Sequence, residues 1–282
     1  MKLIKTPTDW NPLWLSHLQK NHRIGLVPTM GALHQGHLDL VEKSLQSCQV
    51  TVVSIFVNPT QFNNPEDFQK YPNTLAKDLE LLESIGVDYV FVPSVETIYP
   101  KATELRVDFG DLERVLEGKF RPGHFNGVGI VVSKLFHLIR PSIAFFGQKD
   151  LQQVAIIRRL VEDLSFPLEM EVVPTRREAD GLAMSSRNLR LNPTERKQAL
   201  ILFNSLEKAK RKLLSGESWT EIKQEILNNF ENTPTAQLEY FDLIHPDTFE
   251  EYQEFQLEKK SSVCVAAFIG EIRLIDNLPI IP

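Results

Sequence analysis

The stretch Pro28-Thr29-Met30-Gly31-Ala32-Leu33-His34-Gln35-Gly36-His37 holds two imidazoles three residues apart, among two glycines. If a helix begins here, that spacing puts His34 and His37 on one side of it. Two imidazoles so placed can donate hydrogen bonds to phosphate oxygens as charge develops on them. Gly31 and Gly36 let the backbone come close to a ligand. A helix starting near Gly36 would also aim unpaired backbone N–H groups at an anion. Two competing readings are an ordinary turn with surface or core histidines, and a zinc site. No third His or Cys lies nearby at ligand spacing, which disfavours zinc. A pair of histidines around a glycine, after Thr-Met-Gly, disfavours the plain turn.

Other clusters offer groups that suit phosphate or a small polar substrate. In Phe146-Gly147-Gln148-Lys149-Asp150, Lys149 can meet a phosphate as a point charge. Asp150 reads equally as a ligand contact and as an N-cap for the helix that follows. Gln153, one turn on, faces either a cleft or solvent. In Met184-Ser185-Ser186-Arg187-Asn188 two hydroxyls and a guanidinium suit phosphate oxygens, although the same composition suits a solvated linker. Asn58-Pro59-Thr60-Gln61-Phe62 offers amides to orient a polar substrate, or simple turn chemistry. Arg121-Pro122-Gly123-His124-Phe125 reads as a loop, either binding or mobile. No Gly-Lys-Ser/Thr phosphate loop and no Gly-x-Gly-x-x-Gly after the first strand is present, which disfavours a P-loop kinase and a dinucleotide dehydrogenase. The His-x-Gly-His arrangement points instead to nucleotidyl transfer, in which an acid attacks the α-phosphate of a nucleotide.

The elements that must position these groups read as an α/β chain. Residues 23–28, 50–57, 89–92, 143–146 and 168–173 are short apolar or β-branched runs, expected as strands. Residues 36–48, 74–85, 128–139 and 151–164 carry apolar residues at helical spacing, with Gly86 as a helix stop. Alternating strands and helices predict about five parallel strands in a Rossmann-like sheet, with the motif loops at strand carboxyl ends. After residue 176 the style changes. A polar stretch over 176–190 precedes one long helix over 193–214, with Asn192 as N-cap and Pro193 as its first residue. A second helix is expected over 218–230, and strands over 238–244, 263–269 and 272–276, the last two joined by a Gly270-Glu271 turn. The expected division is a Rossmann-like domain over 1–176 and a smaller α+β domain over 177–282.

The chain has 282 residues, 42% hydrophobic and 24% charged, with a formal net charge of -6. That excludes a disordered, collagen-like or disulfide-framework chain. The acidic balance disfavours a dedicated nucleic-acid binder. Cys48 and Cys264 are the two cysteines, far apart, and read as buried thiols in a reducing compartment. The first ten residues lack a signal-peptide core, and no run reaches the ~18 apolar residues of a membrane span. A soluble cytoplasmic protein is expected, with no nucleic-acid partner and no membrane.

Taken together, five motifs resemble the pantothenate synthetase, or pantoate–β-alanine ligase, family over nearly the whole chain. They are residues 28–37, Phe56-Val57-Asn58-Pro59-Thr60-Gln61-Phe62, residues 121–125, Gly147-Gln148-Lys149-Asp150, and the run Arg177-Glu178-Ala179-Asp180-Gly181-Leu182-Ala183-Met184-Ser185-Ser186-Arg187-Asn188. His-x-Gly-His alone indicates only the wider nucleotidylyltransferase superfamily. The resemblance implies ATP-dependent adenylation of pantoate, then attack by β-alanine to give pantothenate and AMP, with Mg²⁺, in a homodimer whose second domain closes over the active site. It implies that His34 and His37 stabilise the adenylation transition state and that Lys149, Ser185, Ser186 and Arg187 hold the triphosphate. Met30, Gly31, Ala32, Leu33, Gln35, Gly36, Gly147, Gln148, Asp150, Arg176 and Met184 would complete the ATP site, with Asp150 on the ribose. Gln61 and Gln153 would bind pantoate, bordered by Asn58 and Tyr71 and walled by Val131 and Val132, and Asp78 would assist the metal. Gln148 stands where the family more often has Glu, and Arg176 where a small apolar residue is common. Arg176 is expected to point to solvent. Other readings are a nucleotidylyltransferase that stops at the transferred nucleotide, and a nucleotide-binding regulator without catalysis.

Overall fold

The computed structural model describes residues 1–281. The chain divides into two compact units, Met1–Gln148 with Ile156–Pro174, and Lys149–Ala155 with Thr175–Pro282. In chain order, the elements up to the first cut are β1 (Lys2–Ile4), α1 (Pro7–Gln19), β2 (Ile24–Thr29), α2 (Gln35–Ser47), β3 (Val50–Ile55), α3 (Pro65–Gln69), α4 (Leu75–Ser84), β4 (Tyr89–Phe91), α5 (Val95–Ile98), α6 (Leu116–Phe120), α7 (His124–Ile139) and β5 (Ile143–Gly147). They are followed by α8 (Leu151–Asp163) and β6 (Glu169–Val173), then α9 (Pro193–Gln198), α10 (Leu200–Leu214), α11 (Trp219–Glu231), β7 (Ala236–Ile244), β8 (Ser261–Ile269) and β9 (Ile272–Ile281).

The first unit is an α/β layer structure around a six-stranded sheet in the order β1-β4-β3-β2-β5-β6, every pair parallel. Every residue of β3 is buried, as a strand covered by helices on both faces requires. Helix α4 stops where Gly86 takes φ +85°; Gly86 N–H bonds the Glu83 carbonyl and Val87 N–H the Leu82 carbonyl, so the last carbonyls are satisfied. Strand order reverses between β2 and β5. In open parallel sheets, ligands bind outside the carboxyl ends at such a reversal. The segment after β2 carries the His-x-Gly-His motif, and β5 ends at Gly147.

The second unit holds a three-stranded antiparallel sheet, β7-β8-β9. Leu202, Leu206, Ala209 and Leu213 of α10 and Ile222, Ile226 and Phe230 of α11 share a core with Val263, Val265 and Ala267 of β8. Glu225 of α11 meets both Lys208 and Lys212 of α10, which hold its carboxyl down at about 2.

Several elements differ from the sequence reading. The parallel sheet has six strands rather than about five, because β1 was not expected: it is three residues long, pairs with β4 alone and buries only Ile4, so it has no apolar run to read. Helix α7 starts at His124, so the expected 121–125 loop ends at Gly123, the left-handed N-cap at φ +79°. The long helix over 193–214 is two, α9 and α10, parted at Ala199; there Leu202 N–H reaches back only three residues to the Ala199 carbonyl, a local tightening that side-chain periodicity does not reveal. Strand β9 runs to Ile281 through Pro279, which an edge strand tolerates because it needs no inward N–H there. A single cut after Arg176 also misses that residues 149–155, with Thr175 and Arg176, group with the C-terminal sheet. Among the described residues, no helix is long and apolar enough to cross a membrane.

Candidate active site

The first unit carries the histidine loop. Gly31 and Ala32 both take positive φ, +81° and +50°, which turns the chain sharply out of β2. The turn is held from below by Asp78, on the first turn of α4 and 3% exposed. Its Oδ2 accepts the Ala32 N–H at 2.9 Å, its Oδ1 accepts the Leu33 N–H at 2.9 Å, and Thr74 Oγ1 donates to Oδ2 at 3.1 Å. A Cβ at Gly31 would sit 3.1 Å from Asp78 Oδ2. Helix α2 then starts one residue earlier than expected, with His34 as its extended N-cap and His37 in its first turn. The imidazole rings lie 4.1 Å apart, centroid to centroid. His34 N–H donates to His37 Nδ1 at 3.3 Å. An Nδ1 that accepts leaves the neutral ring's proton on Nε2, so His37 Nε2–H is a donor.

Asp78 therefore braces the histidine loop. Both of its oxygens are occupied by amide and hydroxyl donors. Among the described residues, no three His, Cys, Asp or Glu side chains converge as metal ligands. Mg²⁺ bound with ATP needs only one or two carboxylates beside phosphate oxygens and water, and Asp78, whose Oδ1 accepts a single N–H, could supply one. Ala32 and Leu33, expected in the nucleotide site, spend their N–H groups on Asp78, which leaves carbonyls and side chains for any ligand contact.

The expected substrate residues also lie in this unit, apart from Gln153. Asn58 is 1% exposed and its amide is saturated. Nδ2 donates to Gln61 Oε1 at 3.0 Å and to the Gly127 carbonyl at 3.2 Å, while Oδ1 accepts from Tyr99 OH at 2.9 Å and Thr60 Oγ1 at 3.0 Å. Turn chemistry is thus what Asn58 performs, and it orients Gln61 rather than offering its own amide. Gln61 Nε2 reaches Met30 Sδ at 3.4 Å, so the loops after β2 and β3 meet. The Gln61 carbonyl accepts from His124 Nδ1 at 2.8 Å and Arg121 at 3.4 Å. His124 is 5% exposed, and it clamps the Gln61 backbone together with Arg121, while Pro122 and Gly123 between them are exposed. Gly127 permits the approach, since a Cβ there would lie 2.5 Å from the Thr60 carbonyl oxygen. Val131 and Val132 are buried on α7, and Tyr71 packs edge-on to Phe62 at 5.8 Å.

Gly147 closes β5 with open space where a side chain would stand, and Gln148 opens one 3₁₀ turn. The second unit begins at Lys149, whose ammonium lies 3.8 Å from the Asp150 carboxylate. That carboxylate is about half exposed, and Gln153 is half-buried. Arg176 is exposed, as expected, and its carbonyl accepts the Met184 N–H at 2.9 Å. Ser185 caps the short turn Ser186–Arg190, its Oγ accepting the Arg187 N–H at 3.3 Å; Ser186 is buried.

The sequence reading missed Asp276 and Asn277, both buried in β9. Asp276 takes the Arg177 guanidinium in a bidentate pair at 2.6 and 3.0 Å. Burial pushes the Asp276 carboxyl up, against the opposing pull of Arg177. Asn277 Nδ2 donates to the Lys149 carbonyl at 2.8 Å. The available signal is an Asp-Asn pair interrupting an apolar strand, which reads as a strand end when taken alone.

Comparison with known proteins matches residues 2–279 to the family model of pantoate–β-alanine ligase. The chain belongs to the pantoate–β-alanine ligase family. Pantothenate synthetase of Thermoanaerobacter sp. strain X514 is 52% identical, over 91% of this chain and 90% of that one. That of Fervidobacterium nodosum is 47% identical over 99% of both. The crystal structure of the Thermus thermophilus pantothenate synthetase superimposes with a TM-score of 0.92 at 40% identity, covering all of both chains. The Francisella tularensis pantoate–β-alanine ligase, solved with β-γ ATP and β-alanine, gives 0.83 at 37% identity, over 99% of this chain and 97% of that one. Membership makes the chain an enzyme of pantothenate biosynthesis, a ligase that joins pantoate to β-alanine.

Proposed function

We propose that the ligase works in two half-reactions on ATP, with pantoyl adenylate between them. In the first, a pantoate carboxylate oxygen bonds to the α-phosphorus and the α–β bridge breaks, releasing pyrophosphate. In the second, the β-alanine amine attacks the acyl carbon; the acyl–phosphate bond breaks, AMP leaves and the amine loses a proton. The observation that carries this reading is the pair His34 and His37 at the start of α2, beyond the carboxyl end of β2 where strand order reverses.

In this reading the two imidazoles donate to phosphate oxygens as charge grows on them, with His37 offering Nε2–H. The start of α2 adds backbone N–H groups of Gln35 and Gly36. Lys149, Ser185, Ser186 and Arg187 hold the triphosphate. Met30, Gly31, Ala32, Leu33, Gly147, Gln148, Asp150, Arg176 and Met184 border the nucleotide, Asp150 at the ribose. Gln61 and Gln153 bind pantoate beside Tyr71, Val131 and Val132. Asp78 would assist a Mg²⁺ bound with ATP, most of whose ligands would be phosphate oxygens and water. The enzyme acts in the cytoplasm as a homodimer, a reading supported by the family resemblance and tested by sedimentation.

Product release tests the reading. With ATP, Mg²⁺, pantoate and β-alanine, equal amounts of AMP, pyrophosphate and pantothenate are expected, and omission of pantoate should stop all three. Pyrophosphate release indifferent to pantoate, or AMP release indifferent to the amine, would move the enzyme to another nucleotidyl transfer. ATP binding without turnover would favour a non-catalytic regulator.

A further inference from the structure

Asp276 and Asn277 sit in β9 opposite Val265 and Cys264 of β8, at 4% and 2% exposure. A carboxylate and an amide buried in a strand are costly unless they hold something. The Asn277 side chain donates to the Lys149 carbonyl at 2.8 Å, 128 residues away in sequence. Its main-chain N–H donates to Asp276 Oδ1 at 2.8 Å, which orients the carboxylate toward Arg177. Arg177 also donates to the Gly181 carbonyl at 3.1 Å and the Asn277 carbonyl at 3.2 Å. Arg177 bridges Ala183, so it pins the stretch that leads straight into Ser185, Ser186 and Arg187. All these groups lie within the C-terminal unit. One dipeptide thus ties the backbone of Lys149 to the stretch that carries the hydroxyls and the guanidinium.

We infer that Asp276 and Asn277 are positioning residues for adenylation, with Asn277 fixing where the Lys149 ammonium is presented. The inference rests on the assignment of Lys149 to the triphosphate. A lysine is a point charge on a flexible stem, so its placement depends on its anchored backbone. Small misplacements of a charge that acts in the transition state are expensive in rate.

The test compares Asn277→Ala, Asn277→Leu, Lys149→Ala and the Lys149→Ala/Asn277→Ala double variant. Asn277→Leu keeps nearly the shape and removes the N–H donor without burying a charge. Pantoate-dependent pyrophosphate release in a single turnover, KM for each substrate, and the denaturation midpoint are measured on the full chain. Both Asn277 variants should lose at least ten-fold in the rate of pyrophosphate release, or gain that much in KM for ATP. KM for β-alanine and the denaturation midpoint should stay near wild type. The double variant should be no slower than Lys149→Ala alone, because the brace acts through that lysine. Adenylation within two-fold of wild type in Asn277→Ala, with Lys149→Ala strongly impaired, overturns the inference and leaves the triphosphate role of Lys149 intact. A Lys149→Ala variant with wild-type adenylation overturns the triphosphate assignment itself. Losses that are additive in the double variant, or that track a fall in the midpoint, assign Asn277 to general stability and also overturn the inference.

Discussion

Two buried carboxylates, one in each unit, hold the two stretches proposed to meet ATP, and they do so with different partners. Asp78 holds the histidine loop by accepting amide N–H groups from Ala32 and Leu33, with Thr74 completing the set. Asp276 holds the Ser-Ser-Arg stretch by accepting a guanidinium, and its neighbour Asn277 holds Lys149 by donating to its carbonyl. The first clamp is charge against dipoles; the second is charge against charge. A carboxylate that meets only backbone and hydroxyl donors shapes a turn. One that meets an arginine fixes a longer stretch and leaves a buried cation behind if it is lost.

That difference orders the expected effects. His34→Ala and Lys149→Ala should each lower pantoate-dependent adenylation by roughly 10²–10³ with the fold retained, as loss of a transition-state donor does; single-turnover pyrophosphate release reads it. Asp276→Ala strands the Arg177 guanidinium, whose side chain is 18% exposed, and should cost about 3–5 kcal/mol in denaturant unfolding. Asp78→Ala strands two amide donors at about 1–3 kcal/mol each, so its cost of about 2–6 kcal/mol spans the same range and the conservative variants separate the two sites. Asp78→Asn, which keeps an acceptor oxygen, should recover part of the loss, whereas Asp276→Asn should recover little. Equal recovery at the two sites would erase the distinction between the clamps. Gly31→Ala should cost about 1–2 kcal/mol, because an L-residue resists its φ of +81°, and should slow adenylation with it.

The half-exposed Glu225 serves as a contrast to both buried groups. Its folded value of about 2 lies below the ordinary 4.5 of a free glutamate, through hydrogen bonds from Lys208 and Lys212. Its contribution is therefore present above about pH 4.5 and lost as pH falls toward 2. Melting curves of wild type and Glu225→Gln should differ slightly at neutral pH and converge in that window. A difference that persists at pH 2 would assign the effect to something other than the ion pairs.

The sequence made the first clamp's loop legible and hid the second brace. His34 and His37 announce themselves because a local spacing places them, and the helix start that aligns them is also local. Buried runs such as 50–55 read as strands because continuous β-branched residues suit a sheet covered on both faces. Strand β1 escaped because three residues on an edge bury one side chain. Asp78 entered through the family resemblance, and the amides it accepts are not visible in sequence. Asn58 likewise looked like a substrate contact until its four partners were in view. Arg177 and Asp276 are 99 residues apart, and nothing in either neighbourhood names the other. Pairings of that kind belong to the tertiary fold.

In the proposed mechanism an acyl phosphate forms before the amine acts. Enzyme in excess over substrate, mixed with ATP, Mg²⁺ and pantoate and no β-alanine, tests it directly. Pyrophosphate should form rapidly and consume the limiting substrate in one turnover, with the adenylyl group retained on pantoate, and AMP and pantothenate should then appear together once β-alanine is added. Absence of any pyrophosphate until β-alanine arrives would contradict it.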